Sequence, residues 1–285
     1  MSQDSGRTEN QGTEVGEEGT PPISLGGLLK GKRALVTGIA NERSIAWAIA
    51  QAFHAEGAEL VFTYPGEAMG KRVKPIVEAL APRAVLDCDV GKDEEIERTV
   101  AEVRRIWDRL DILIHSIGFA PRGALEGRFT EVTTRDTWAV TMDVSAYSLI
   151  GLTRAFRPLM VPGSNVVSLT YYGAEKVVRN YNVMGVAKAA LECATRYLAD
   201  DLGQDGIRVN TISAGPIKTL AAAGIRGMRA MLSENAERTP LRRNIQQDDV
   251  ARAALYLCSD LARNVTGETL HVDAGQNILG VVSMG

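Results

Sequence analysis

From Lys32 to Gly57 the chain reads KRALVTGIANERSIAWAIAQAFHAEG. The first part, KRALVTG, is a short apolar strand stopped by glycine. The second, SIAWAIAQAFHAEG, has helical period: Ile45, Ala48, Ile49, Ala52 and Phe53 fall on one face. Ser44 is placed to cap this helix and Gly57 to end it. The next run, ELVFTY (59–64), is a second strand. A strand, a glycine, a helix and another strand make the unit from which parallel sheets are built.

The alternation continues along the chain. A helix near 67–81 leads to the strand RAVLDCDV (83–90), then the charged helix KDEEIERTVAEVRRIWDRL (92–110) and the strand DILIHSIG (111–118). A long helix is expected over 134–160, a strand at NVVSLTYY (165–172), a helix over 182–202 and a strand at GIRVNTIS (206–213). A less regular stretch at 215–235 precedes the helix QQDDVARAALYLCSD (246–260) and a last strand, ETLHVDAG (268–275). This pattern predicts an α/β fold: one Rossmann-like, doubly wound parallel sheet of about seven strands, with helices on both faces. Ligands of such sheets bind at the carboxyl ends of the strands. No internal repeat and no second domain is evident.

Composition narrows the class. The chain has 285 residues, 45% hydrophobic and 24% charged, as in an ordinary soluble enzyme. A formal net charge of −3 argues against a nucleic-acid partner. No apolar run approaches the roughly 18 residues that cross a bilayer. Residues 1–30 are polar and acidic, without a signal or transit pattern, and read as a disordered tail. The domain is then expected over 31–285. Cys88, Cys193 and Cys258 are scattered, which suits a reducing cytoplasm. The histidines at 54, 115 and 271 have no ligand spacing, so no metal site is expected.

Several loops at strand ends suit a dinucleotide. TGIANERSIA joins the first strand to a helix start, where free amides and the helix dipole favour a pyrophosphate, and Gly38 allows close approach. It is not a GxGxxG, and in isolation it reads equally well as a plain turn. After the second strand, FTYPGE carries no cation at the first positions, which favours NADH; Lys71 and Arg72, about one turn on, keep NADPH open. Glu67 suits a ribose hydroxyl or open solvent. Asp89 suits an adenine amino group and equally a solvated turn. Ser116-Ile117-Gly118 ends the fourth strand with a glycine that admits a ligand or simply turns the chain.

YYGAEKVVRNYNVMGVAK (171–188) holds three tyrosines and a lysine. Lys188 lies nearly two helical turns after Tyr181, about 10.5 Å of rise, so both share nearly one face. A cation there can hold a cofactor ribose while the phenol reaches a reacting carbonyl. Such a pair alone is common.

Together, GIANERSIA, Asp89-Val90, HSIGFAP, the Tyr181-x6-Lys188 spacing and RVNTISAGPIKTLAA resemble the bacterial NAD(P)H-dependent enoyl-acyl-carrier-protein reductases of the short-chain dehydrogenase/reductase superfamily. The likeness runs from Gly31 to Gly280, in motif order. It implies reduction of the trans-2 double bond of an enoyl thioester in fatty-acid elongation, with NADH, in the cytoplasm. It implies that Tyr181 is the catalytic tyrosine, Lys188 the ribose-binding lysine and Tyr171 a second active-site tyrosine. Gly38, Ser44, Ile45, Asp89, Val90, Ser116, Ile117, Gly118, Lys188, Ile217 and Thr219 match cofactor positions; Phe119, Ala120, Tyr171, Tyr181 and Leu220 match substrate positions. Ketone-reducing members place lysine four residues after tyrosine, and position 185 here is glycine.

The resemblance further implies an acyl-carrier protein as partner and a homotetramer. Leu220, Ile225, Met228, Met231 and Leu232 are expected to form a lid near 216–235 over the acyl chain, although a plain amphipathic helix fits the same residues. Ala146, Ser148, Gly151 and Ala155 on one helix, with Gly185, Ala189, Ala190 and Ala194 on another, suit close packing between subunits as well as packing on the sheet.

Overall fold

The structure is a computed structural model that describes residues 26–219 and 228–280. Its strands are β1 (Arg33–Val36), β2 (Glu59–Tyr64), β3 (Ala84–Asp87), β4 (Leu110–His115), β5 (Met160–Thr170), β6 (Arg208–Ala214) and β7 (Thr269–Val272). They form one seven-stranded sheet in the order β3-β2-β1-β4-β5-β6-β7, every pair parallel. The predicted sheet is therefore the observed one. Its helices are α1 (Ile45–Ala55), α2 (Gly66–Val77), α3 (Asp93–Ile106), α4 (Phe129–Val132), α5 (Arg135–Met142), α6 (Ser148–Phe156), α7 (Val183–Gly203), α8 (Met228–Arg238) and α9 (Gln247–Cys258).

Successive side chains of each strand feed opposite cores. Ala34 and Val36 of β1, with Ile112 and Ile114 of β4, pack among α1, α2 and α9. Leu35 and Leu113 point the other way, into α3, α6 and α7. Burial on both faces explains why LDILIH carries no polar alternation beyond Asp111 and His115. No helix among the described residues is long and apolar enough to cross a membrane.

The chain leaves β1 towards β3 and returns to β4 on the other side of β1, so the winding reverses between β1 and β4. The loops after these two strands meet there. Thr37 Oγ1 donates to Ile114 O (2.9 Å) and accepts from Ser116 N–H (3.3 Å).

Three expectations change. The ordered domain begins before Gly31: Leu29 is fully buried, and the amides of Gly27 and Leu28 donate to the buried Glu56 carboxylate at 2.7 and 2.8 Å. The helix expected over 134–160 is α5 and α6 joined by a π turn, Asp143–Tyr147, and it stops at Phe156. Ala146, Ser148 and Gly151 face inward; a Cβ on Gly151 would touch Ile96 of α3. Those residues therefore serve the fold. On α7, Ala189 is exposed and Ala190 and Ala194 are half-buried.

Candidate functional site

The nucleotide end of the site rests on Gly38. Its φ is +84°, and an added Cβ would lie 1.9 Å from Ser116 O, so no side chain fits. Ser44 occupies the position before α1 but does not cap it with its side chain. Its hydroxyl instead accepts from Ala40 and Asn41 amides (3.0 and 3.1 Å) and folds the loop back on itself. The first turn of α1, opening at Ile45, is left without a side-chain cap and without an acid. Uncapped amides with no competing carboxylate are what a phosphate requires.

At the far end, Val90 is buried beside Asp89, whose carboxylate accepts from Gly91 N–H (3.1 Å) and pairs with Lys92 (3.4 Å). The local turn engages both carboxylate oxygens of Asp89, one through Gly91 and one through Lys92, and the side chain stays 42% exposed. Glu67 pairs with Lys71 (2.8 Å) on the open face of α2, the surface alternative foreseen for it. Gly66 N–H donates to Asp87 (2.7 Å), pinning the turn after β2.

The catalytic end is built by β5, the turn after it and α7. Tyr171 follows the last residue of β5, and Tyr181 lies two residues before α7. Their rings meet edge to face, centroids 5.1 Å apart. Asn180 (φ +63°) and Asn182 (φ +40°) flank Tyr181 in left-handed backbone, and the Asn182 amide donates to Ala124 O (3.2 Å) and Gly127 O (3.3 Å). A residue held this way is over-determined by its surroundings. Glycines make the room: a Cβ on Gly173 would sit 2.5 Å from the Tyr181 ring, and one on Gly185 would sit 2.7 Å from Gly173 O. Position 185 thus has no space for any side chain.

Lys188 is 7% exposed and donates to Leu169 O at 2.8 Å. A Cβ on Gly118 would come 3.5 Å from its Nζ and 3.4 Å from Met184 Cε, so the amine lines the lip of the β4 loop. Burial lowers its pKa from 10.5 to about 8, while Glu192, one turn further along α7, partly offsets this. Burial pushes Tyr171 up to about 12 and Tyr181 higher still, with Tyr171 and Glu192 adding to the rise for Tyr181. Both phenols are therefore neutral donors at neutral pH. Ile217 is buried after β6, and Thr219 follows it. Phe119 is half exposed at the same rim, with Ala120 beside it. Leu220 and Ile225 of the expected lid lie outside the described residues.

A family model described as "Enoyl-(Acyl carrier protein) reductase" matches residues 38–277. The chain belongs to the enoyl-acyl-carrier-protein reductase family. Among members of the family, "Enoyl-[acyl-carrier-protein] reductase [NADH] FabI" of Rickettsia prowazekii is 49% identical over 254 residues, covering 89% of this chain and 97% of that protein. The protein of the same name in Escherichia coli is 47% identical, over 88% of this chain and 96% of its own. A crystal structure of the Aquifex aeolicus NADH reductase superposes with a TM-score of 0.87 at 49% identity, covering 90% of this chain and all of that one (100%). The Bacillus cereus family structure, described with NADP+ and indole naphthyridinone, has a TM-score of 0.87 at 48% identity and covers 89% of this chain and 99% of its own.

Sequence reasoning about the family site missed Ser145, His115 and Glu192. Glu192 carried a signal, since it lies four residues after Lys188 on one helix. It accepts from Thr170 Oγ1 at 2.7 Å, and Thr170 directly follows the carbonyl that holds Lys188.

Proposed function

We propose that this protein reduces the trans-2 double bond of enoyl-acyl-carrier-protein thioesters with NADH. The observation that carries the proposal is the presence of a buried neutral Tyr181 before α7 and a buried Lys188 amine on it at the lip of Gly118. The residues present fit a nicotinamide dinucleotide. The cradle at Gly38 and the uncapped start of α1 suit the pyrophosphate, and the gap at Gly118 beside the amine suits the nicotinamide ribose. NADH, when bound, supplies the hydride that reaches C3 of the enoyl thioester.

Negative charge then collects on the thioester oxygen, and a proton added at C2 completes the reduction. Tyr181 O–H donates to that oxygen where the charge develops, an interaction worth about 2.7–4 kcal/mol of barrier for one donor. Tyr171, edge-on to Tyr181, holds the phenol against rotation and borders the acyl chain. Lys188 binds the ribose and strengthens the phenol as a donor. Gly38, Ser44, Ile45, Asp89, Val90, Ser116, Ile117, Ile217 and Thr219 complete the cofactor groove, and Phe119, Ala120 and Leu220 the acyl pocket. The carrier protein delivers the substrate in the cytoplasm. Four copies assemble, using the exposed side of α7 where Ala189 and Tyr197 (76% exposed) lie.

Ketone reduction by the same superfamily needs lysine at position 185, and the 2.7 Å approach of Gly173 O argues against any side chain there. NADH is favoured over NADPH because Lys71 is engaged by Glu67 and no cation occupies Pro65 or Gly66. The test is an absorbance assay with crotonyl thioester, NADH, NADPH and a simple ketone. Loss of NADH with the thioester alone is expected, and consumption with the ketone alone would refute the proposal.

A further inference from the structure

In the loop after β4, Ile117 packs against the core, but Phe119 is 50% exposed, so its ring contributes little to fixing its own backbone. What fixes it is one hydroxyl. Ser145, fully buried in the π turn, accepts from Phe119 N–H at 2.8 Å and donates to Phe119 C=O at 2.9 Å. Both main-chain polar groups of Phe119 close on a single oxygen. Met184 Sδ lies 3.6 Å from the same oxygen, and Met184 Cε in turn borders Gly118.

The π turn makes this possible by changing the helical phase between α5 and α6. It aims two serines at one strand end. Ser148 Oγ lies within hydrogen-bond distance of Val144 O (2.7 Å) and His115 Nε2 (2.8 Å). Burial, then the nearby Lys188, lower the His115 pKa to about 3, so the ring is neutral. The run from His115 to Phe119 is thus clamped at both ends by serines three residues apart.

We infer that Ser145 is a positioning residue for the enoyl substrate. It fixes the backbone of Phe119, and with it the rim that borders the acyl pocket beside Met184. Without the hydroxyl, Phe119 N–H and C=O lose their shared partner, and the loop moves to satisfy them elsewhere. Displacing a rim of this kind by about 1 Å is enough to slow chemistry by up to about a hundredfold. The inference rests on the reductase reading for its kinetic part only.

The test compares wild type, Ser145→Ala and Ser145→Cys, the last keeping a weak donor and acceptor. For Ser145→Ala the crotonyl-thioester KM is expected to rise about tenfold and kcat to fall, while the NADH dissociation constant, read by fluorescence titration, stays within about twofold. Ser145→Cys should fall between, and it carries the comparison alone if the alanine chain does not fold. Hydrogen exchange at the Phe119 amide should quicken in Ser145→Ala, with amides of β1 and α1 unchanged. Unchanged kinetics, an equal loss of NADH affinity, or unaltered exchange at Phe119 would overturn the inference. A wild-type protein inert towards crotonyl thioester would sink the reductase reading instead, and the exchange measurement would still decide the clamp.

Discussion

Replacing Lys188 with methionine should remove a contribution to stability that rises between pH 7 and pH 10. The amine is 7% exposed, and burial lowers its pKa from 10.5 to about 8. Keeping it charged therefore costs folding about 3 kcal/mol at neutral pH. Between about pH 8 and 10.5 the unfolded chain still holds the proton that the folded chain has released. Stability then rises with pH across that window, because the unfolded state binds more protons. Methionine is apolar, unbranched and close in length, and it has no proton to release. The assay is urea unfolding of cofactor-free wild type and Lys188→Met at pH 7 and pH 10. Other ionisations largely cancel in the difference. Wild type should gain about 2.5 kcal/mol on the variant between the two pH values. A difference that is flat or that shrinks would mean the amine is solvated, and the catalytic geometry built on its burial would be wrong.

The same titration sets kinetics: kcat/KM for NADH should decline as pH rises through about 8, since the free enzyme then loses the cation that grips the ribose. Initial rates from pH 6 to 10 check this, and a constant value up to pH 10 would contradict it. Gly185→Ala should destabilise the fold by about 1–3 kcal/mol in urea, because its Cβ would meet Gly173 O at 2.7 Å. A neutral result would remove the steric reason for the glycine.

The sheet was legible because burial on both faces writes itself as uninterrupted apolar runs. ELVFTY is β2 residue for residue. Termini of other elements moved: β5 begins at Met160, where it pairs with Leu110 before a register shift. Tyr181 and Lys188 were singled out because their spacing suits one helix face, but Tyr181 lies two residues before α7, behind Asn182 with φ +40°. What stayed hidden depends on contacts between distant parts of the chain. The grip of Glu56 on Gly27 and Leu28, which extends the domain, spans 28–29 residues and has no local signature. The pairing of Ser145 with Phe119 spans 26 residues and requires a π turn that the helical pattern of 134–160 does not announce. Ser44 looked like a cap because its type and position suit one. The loop amides of Ala40 and Asn41 competed for its oxygen and won.

The central claim is that the buried phenol just before α7 and the buried amine on α7 act together on an enoyl thioester. Turnover of crotonyl thioester with NADH by Tyr181→Phe and Lys188→Ala measures it directly. Both should slow by about a hundredfold or more, Lys188→Ala the more severely, and only Lys188→Ala should also lose NADH affinity. Turnover by Lys188→Ala at the wild-type rate would contradict the account.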